Sequence, residues 1–388
     1  MQYGLTLDKS GVFRMNGKPF WGYGVNAYTM IYNRQLNPRD ESYKDGFEML
    51  QKYTIPFIRT PVTYEPVSYY ELYQRDKDAF FEGADRILDE ALRKHIGVIV
   101  ILVNSARYTS MLGEKPCAVG DMNSRSMAYQ VEQAATFVQR YKDHPAVWGW
   151  EIRNEANLEA NLFRHEYGSY QADVYGVQVG EFNGRDSVTS EEHAVFSREI
   201  AKVVRQYDPY RFISSGDALM RESAWHLHQA AMKMDENHVW TEDWTRDTLE
   251  EWRRMILYST PDPINAVCQH MGMPAPDFSY QLADVALDYP ALIREYVDVA
   301  KSANKGFYYG EFGDVGTDED AVSAGLRLRD NMRIMIESGV QLGTLWQFNG
   351  ANNIFNDEGK MGSMFREITK VNEAFRQEGL QDVRGVWD

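Results

Sequence analysis

Eight short apolar runs, each followed by a polar loop and an amphipathic stretch, limit most strongly how this chain can fold. The runs lie near residues 21–26, 55–60, 97–103, 146–152, 211–215, 264–269, 306–311 and 342–347. They are apolar throughout rather than alternating, which is typical of parallel strands buried on both faces. The stretches between them have helical spacing, as in 83–95, 126–141, 193–207, 292–303 and 321–338. The sequence therefore predicts an α/β fold, a (β/α)8 TIM barrel.

Residues that end helices agree with this alternation. Gly97 and Gly339 each stand between a helical stretch and a strand, where glycine commonly ends helices. Pro145 and Pro209 follow helical stretches that a proline cannot continue. The chain contains no longer repeat, no linker and no low-complexity tract, so we expect residues 1–388 to form a single domain.

The two ends of the predicted barrel differ in character. A hairpin at residues 12–21, with Asn16-Gly17 as its tight turn, is expected to plug the bottom. On the catalytic face, where the loops after the strands lie, three long connections contain many aromatic residues: 61–78, 156–190 and 217–263. Aromatic rings can stack on sugars, although any one of these rings can instead pack one loop against another.

Composition excludes some classes of partner and leaves the compartment open. The 41 Lys and Arg against 57 Asp and Glu give a net charge of -16, which disfavours nucleic acid. No run approaches the roughly 18 apolar residues of a membrane span. The N-terminus does not resemble a signal peptide, so the compartment stays open: we expect a secreted or periplasmic protein if a leader was removed, and a cytoplasmic one otherwise. Cys117 and Cys268 lie far apart in apolar surroundings and are predicted to be free thiols.

Two carboxylates close predicted strands. The run WGWEIRNE ends in Asn154 and Glu155 after strand four, and GFYYGEFGD places Glu311 at the end of strand seven. An isolated Asn-Glu pair is equally consistent with a solvated turn. A closed barrel, however, brings both strand ends to one face. Paired carboxyls suit retaining cleavage of a glycosidic bond, in which one donates a proton and the other, about 5 Å away, attacks the anomeric carbon.

These motifs, in this order, resemble those of clan A retaining glycoside hydrolases and, within them, glycoside hydrolase family 5, the cellulase and mannanase family. The resemblance runs from NGKPFWGYGVNAY to the last strand. It implies that Glu155 is the acid/base, that Asn154 binds the sugar 2-hydroxyl and that Glu311 is the nucleophile. It also implies that Arg59 in FIRTP keeps the nucleophile ionised and that Trp346 in TLWQFNG floors the subsite of the cleaved sugar.

The chain departs from the family pattern at three places. Asn104 in VILVNSAR stands where many members have histidine, which is similar to the endo-mannanase branch. His270 in AVCQHMG aligns with the strand-six histidine, but Gly272 replaces the tyrosine that normally bonds the nucleophile. Either another tyrosine substitutes, or the site is tuned differently. The insertion at residues 217–263 fits no branch and leaves the substrate open.

Each binding residue also has a structural interpretation. Arg59 can be an ion-pair partner at the barrel mouth, and His270 and Trp346 can be core residues. Asn104 can cap the next helix.

The sequence as a whole predicts a retaining glycoside hydrolase. Its expected substrates are β-linked gluco- or manno-configured glycans, that is β-mannan or β-glucan oligosaccharides or polysaccharides, cleaved by double displacement. The alternative is a catalytically inactive carbohydrate-binding barrel. A metal-dependent barrel hydrolase is suggested by His226 and His228, but such a site needs further ligands on other strands. We therefore expect no metal and no cofactor in the reaction.

Overall fold

The chain begins with a small antiparallel sheet. The computed structural model describes residues 3–62, 66–103, 108–109, 111–163, 184–275, 277–313, 320–348 and 358–387. Its first three strands are β1 (Thr6–Leu7), β2 (Phe13–Met15) and β3 (Lys18–Pro19). Asn16 and Gly17 connect β2 to β3 with φ angles of 50° and 77°, as a two-residue hairpin turn requires.

Eight parallel strands then close into a barrel. They are β4 (Gly22–Asn26), β5 (Phe57–Pro61), β6 (Gly97–Val103), β7 (Val147–Arg153), β8 (Ile213–Ser214), β9 (Ala266–His270), β12 (Gly306–Phe312) and β13 (Leu342–Leu345). The last strand pairs with β4 to complete the circle. Every strand lies within two residues of its predicted bounds, and the predicted (β/α)8 barrel is confirmed. Two short strands, β10 (Tyr280–Gln281) and β11 (Ala286–Leu287), form a separate ribbon that the sequence did not predict.

Helices surround the barrel. They are α1 (Met30–Leu36), α2 (Ser42–Lys52), α3 (Pro66–Arg75), α4 (Lys77–Lys94), α5 (Arg125–Tyr141), α6 (Ser190–Tyr207), α7 (Ala224–Ala231), α8 (Leu249–Ser259), α9 (Tyr289–Ser302), α10 (Ala321–Glu337) and α11 (Gly359–Gln377). Capping boxes begin α6, with Thr189 and Glu192, and α8, with Thr248 and Glu251. Within the described ranges, no helix is long and apolar enough to cross a membrane.

The hairpin seals the amino-terminal end of the barrel. Phe13 and Phe20 belong to one buried cluster with Trp148 and Phe212, whose rings come from the start of β7 and from the residue before β8. Leu5 ties this sheet to the barrel, because its N–H donates to the Trp148 carbonyl and its carbonyl accepts from Phe212. Long connections after the strands therefore remain at the opposite, carboxyl end.

One predicted helix end was wrong in detail. His95, not glycine, takes the left-handed position after α4, with φ of 57°, and Gly97 is already the first residue of β6. Glycine is required at 97 for space, since a Cβ there would lie 2.0 Å from the Trp148 ring. Gly339 does end α10 with a φ of 85°.

Three aromatic rings of the long connections pack inward in the part of the chain that the structure describes. Tyr73 and Trp252 are fully buried and Trp240 is nearly so, while Trp244 is 55% exposed. The Trp252 indole N–H donates to the Tyr280 hydroxyl and so ties α8 to β10. The loop-packing interpretation therefore holds for these three buried rings.

Both cysteines are free thiols, as predicted. Cys268 is buried in β9, whereas Cys117 is partly exposed beside Glu192. The apolar surroundings expected for Cys117 were therefore wrong, because a carboxylate from a distant helix packs there.

Candidate active site

Arg59 lies at the centre of the carboxyl end of the barrel. Its side chain is fully buried in β5 and donates to Glu151, to Asn26 and to Glu311, the last through Nη1 at 2.8 Å from Oε1. Its Nη2 donates to Asn154 Oδ1 at 2.6 Å. Burial alone would lower the Arg59 pKa, but Glu151 and Glu311 outweigh it and raise the pKa well above its ordinary value. The cation is thus permanent and fixed.

Glu155 is presented by an unusual backbone turn after β7. Its φ is 50°, and its N–H donates to the Gly216 carbonyl at 2.7 Å. Gly216 itself has φ of 74°, and a Cβ there would lie 1.9 Å from the Arg153 carbonyl oxygen. Only glycine fits this close approach. Gly216, just after β8, therefore fixes the backbone turn that directs Glu155 toward the barrel mouth.

Glu311 is aimed into the site by an irregularity in β12. The register of β12 shifts between Tyr309 and Glu311 against β9, and Glu311 then pairs with His270. Such bulges commonly redirect a side chain next to an active site. Gly310 gives His270 its room, since a Cβ at 310 would lie 2.5 Å from the His270 Nε2.

His270 connects the two candidate catalytic carboxylates. Its Nδ1 lies 3.2 Å from Glu155 Oε1 and 3.5 Å from Glu311 Oε1, and its side chain is almost fully buried. Burial opposes the charged imidazole, but the Glu311 carboxylate overcomes it and raises the His270 pKa to about 10. The imidazolium form is therefore stabilised between two anions.

The two carboxylates are as close together as a mechanism with a covalent glycosyl intermediate requires. One oxygen of Glu155, one of Glu311 and one ring nitrogen of His270 all lie within 4.8 Å of one another. Retaining glycosidases hold their two carboxyl groups about 5 Å apart, whereas inverting enzymes leave a wider gap for water. The arrangement is thus suited to nucleophilic attack by one carboxylate and proton transfer by the other.

Trp346 lies next to this cluster, after β13. Its backbone N–H donates to the Phe312 carbonyl at 2.8 Å. Its half-buried indole ring contacts the Tyr28 ring edge-on, with 5.5 Å between the ring centroids. The peptide bond to Gln347 is cis. Trp346 is thus only partly covered by the protein.

The structure therefore brings together most of the residues predicted from sequence. Arg59, Asn154, Glu155, His270 and Glu311 form one hydrogen-bonded group. Asn104 lies outside the described residues.

Sequence reasoning missed two residues of this group. Glu151 is fully buried beneath Arg59, and Asn26 bonds both Arg59 and the Gly310 carbonyl. The signal for Glu151 was a charged residue in the middle of an apolar strand, since buried carboxylates need a partner.

The tyrosine question and the histidine pair also have structural answers. Among the described residues, no tyrosine hydroxyl bonds the Glu311 carboxylate; Arg59 and His270 contact it instead.

His226 and His228 do not act together, because His226 bonds Asp247 whereas His228 contacts Ser190.

The fold and this site define a (β/α)8 barrel protein with two carboxylates paired at the carboxyl end of the barrel. A scan against protein-family models found no match. Among curated proteins, the chain is 25% identical over 183 residues to mannan endo-1,4-beta-mannosidase 7 of Arabidopsis thaliana, covering 39% of this chain and 40% of that protein. It is 21% identical over 271 residues to mannan endo-1,4-beta-mannosidase 4 of Solanum lycopersicum, covering 62% and 64%. The alignments thus span about two-fifths to two-thirds of these relatives.

Solved structures match over nearly the whole chain. An endo-1,4-beta-mannanase from Rhizomucor miehei superposes with a TM-score of 0.63 at 15% identity, covering 96% of this chain and 99% of that one. An endo-1,4-beta-mannanase from Eisenia fetida gives 0.61 at 14% identity, with 100% of both chains covered. A glycoside hydrolase family 5 mannosidase from Rhizomucor miehei gives 0.63 at 10%, covering 97% and 99%. These likenesses show a shared fold, and the resemblance to mannanases and to a family 5 mannosidase is confirmed at the level of the fold.

Proposed function

We propose that this chain is a retaining glycoside hydrolase that cleaves β-1,4-linked mannan. The observation that carries the proposal is the approach of Glu155, Glu311 and His270 to within 4.8 Å. The names of the similar proteins, mannan endo-1,4-beta-mannosidases, support mannan over glucan as the substrate.

In the first step, Glu311 acts as the nucleophile. One of its oxygens forms a bond to the anomeric carbon as the bond from that carbon to the leaving oxygen breaks. Glu155 gives its proton to that oxygen, so the shortened glycan leaves as an alcohol. Glu311 is then an uncharged ester and Glu155 a carboxylate.

In the second step, the same residues work in reverse. Glu155 takes a proton from a water molecule, whose oxygen attacks the anomeric carbon and displaces Glu311. The sugar leaves with its original anomeric configuration, and both carboxyl groups return to their starting states. Imidazolium at His270, 3.2 Å from Glu155, stabilises the carboxylate that serves as base.

Substrate binding supplies the protonated form of Glu155 that the first step needs. Burial raises the Glu155 pKa, but the bond from His270 outweighs it, so the pKa lies below its usual value in the free protein. The side chain is still 32% exposed. A sugar that covers it adds to the desolvation and thus moves the pKa upward.

Fixed donors around the cluster orient the sugar and the nucleophile. Arg59 holds Glu311 in place through its 2.8 Å bond. The amide of Asn154, whose oxygen accepts from Arg59, is left with its N–H groups to bind the sugar 2-hydroxyl. Trp346 provides the flat floor of the subsite. Asn104, which lies outside the described residues, stays a predicted substrate-binding residue.

The acid/base assignment is tested with Glu155→Ala on an aryl β-mannoside. We expect release of the aryl group to fall by at least about 100-fold and azide to restore it, because azide needs no base. It attacks the anomeric carbon of the glycosyl ester, displaces the Glu311 carboxylate and leaves as a glycosyl azide. Glu159→Ala is the control, since this carboxylate lies in the same loop but outside the cluster. Loss without azide rescue would contradict the assignment.

The nucleophile assignment is tested by covalent labelling. A 2-fluoro mannoside should label wild-type protein at Glu311, and Glu311→Ala should remain unlabelled. Products from mannan and from cellulose oligomers then identify the glycan and the mode of cleavage. Mannan binding by a wild-type protein without any turnover would instead establish the inactive carbohydrate-binding barrel.

A further inference from the structure

A second cluster of potential metal ligands lies away from the catalytic carboxylates. It consists of Cys117, Glu192 and His238, each of which offers one ligand atom within 4.8 Å of the other two. Cys117 lies in the turn Pro116–Gly120 after β6, and Glu192 in the first turn of α6, which follows β7. His238 lies in the connection after β8. Three consecutive connections of the catalytic face thus meet at this cluster.

Glu192 is already oriented for a ligand. Its Oε2 accepts from the Thr189 N–H at 2.6 Å in the capping box of α6, which leaves Oε1 facing His238. Gly120 allows the turn that contains Cys117 to approach, because a Cβ there would lie 2.5 Å from the Glu192 Cγ. The thiol and the carboxylate are therefore brought together by local features of the chain.

His238 is held by a strained turn. Its φ of 61° is in the left-handed region, which costs a residue with a side chain about 1 kcal/mol. Asp235 stabilises the turn, since its Oδ1 accepts from the N–H groups of Asn237 and Val239. The His238 Nε2 lies 3.2 Å from the Ser187 carbonyl and 3.7 Å from Glu192 Oε1. The second distance is too long for a hydrogen bond.

That separation is close to the spacing of ligands around a metal. Two ligands 2.0–2.1 Å from a tetrahedral ion lie about 3.3 Å apart. Coordination through Nε2 would move the ring proton to Nδ1 and release the Ser187 carbonyl.

The charges that these donors carry as metal ligands also suit a divalent cation. Zinc is bound by cysteine as the thiolate and by glutamate as the carboxylate, so an ion of charge +2 would neutralise both donors together.

We propose that Cys117, Glu192 and His238 bind one zinc ion, with water as the fourth ligand. Sulfur, nitrogen and oxygen donors in this number suit zinc, whereas calcium and magnesium prefer oxygen alone. The ion would tie three neighbouring connections into one wall of the catalytic face. It has no role in the glycosidic reaction, so this proposal stands independently of the proposed function.

Zinc binding by the chelator-stripped full chain tests the proposal. We expect one zinc ion per chain by elemental analysis, a raised unfolding temperature, and at least tenfold weaker binding in both Cys117→Ser and His238→Ala. His226→Ala is the matched control, because it removes an imidazole from the same insertion but from the separate group around Asp247. The proposal would be overturned if both site variants bound zinc as tightly as the wild type. It would also be overturned if the control bound zinc more weakly, or if the wild type bound none.

Thiol alkylation provides a readout that needs no variant. Cys117 is partly exposed, but burial raises its thiol pKa to about 12 and leaves little thiolate, so the stripped protein should react with iodoacetamide only slowly and at alkaline pH. Added zinc should slow that reaction at least a further tenfold. Cys268 is buried and serves as the internal reference after denaturation. Zinc that binds to the chain without protecting Cys117 would place the ion elsewhere and refute the site.

Discussion

Arg59 shows how one buried cation organises the polar residues of the mouth. It bonds Glu151 below and Glu311 above, and both it and Glu151 are fully buried. Sequence motifs predicted Arg59, Asn154 and Glu311, because each lies near the carboxyl end of a strand in a recognisable run. They did not predict Glu151, because its role depends on a partner 92 residues away that only the closed barrel brings near.

Replacing Glu151 with glutamine should separate positioning from direct chemistry. Removing one partner of a buried ion pair costs about 3 kcal/mol of the free energy of unfolding. We also expect kcat to fall roughly 10- to 100-fold with little change in KM, because Arg59 would no longer hold Glu311 in register. Denaturant unfolding and steady-state kinetics measure both effects.

Glu132→Gln is the matched control for that variant. Glu132 pairs with Lys77 on the surface, and such exposed pairs contribute at most about 1 kcal/mol. Equal effects from the two substitutions would contradict the positioning role of Glu151.

The charged form of His270 should make the free energy of unfolding fall as the pH becomes alkaline. Its folded-state pKa of about 10 exceeds the ordinary value of 6.5, because Glu311 outweighs burial and the repulsion of Arg59. A raised pKa stabilises the fold fully below pH 6.5, and this contribution is lost as pH rises through 10. The unfolding temperature of the wild type should therefore fall more steeply between pH 6.5 and 10 than that of His270→Gln. Parallel curves would show that His270 is neutral in the fold.

At the scale of elements, turns and bulges determine where the strand ends point. The strand positions followed from apolar runs, which are local. The register shift of β12 before Glu311 and the β10–β11 ribbon depend on pairing between distant residues, which no local pattern shows. The same holds for Gly216, whose need for glycine comes from the Arg153 carbonyl across the strand boundary.

Two glycines with nearly equal φ, Gly17 and Gly216, separate the cost of a left-handed backbone from the cost of a steric clash. Gly17 has φ of 77° with open space around its Cβ position, so Gly17→Ala should cost only the backbone strain of about 1 kcal/mol. Gly216→Ala adds a clash with backbone and should cost about 1–3 kcal/mol more. It should also lower kcat, because the Gly216 carbonyl holds the Glu155 N–H. Unfolding and kinetics of both variants check this, and equal losses of stability would refute it.

At the scale of the whole molecule, the barrel separates stability from chemistry. The amino-terminal end is closed by the hairpin and by Trp387, which stacks on Trp148 at 5.6 Å. The carboxyl end holds the carboxylates. The eight-strand alternation was enough to predict this division, because parallel strands in a closed barrel all point the same way. The ligand that fits the mouth depends on loop shape, which the apolar pattern does not encode.

Phe20→Ala should lower the free energy of unfolding without changing catalysis, which tests whether the two ends of the barrel act independently. Phe20 is fully buried at the closed end, where its ring meets Trp148 edge-on at 5.4 Å. Removing a buried phenyl ring costs about 3–5 kcal/mol, because the surrounding side chains cannot fill the cavity. Leu326→Ala, at a residue 44% exposed on α10, should change stability by about 0.5 kcal/mol or less. Both variants should keep wild-type kcat and KM at temperatures where they remain folded. If Phe20→Ala lowered kcat while fully folded by circular dichroism, the hairpin would be coupled to the site through the barrel interior, and the division would fail.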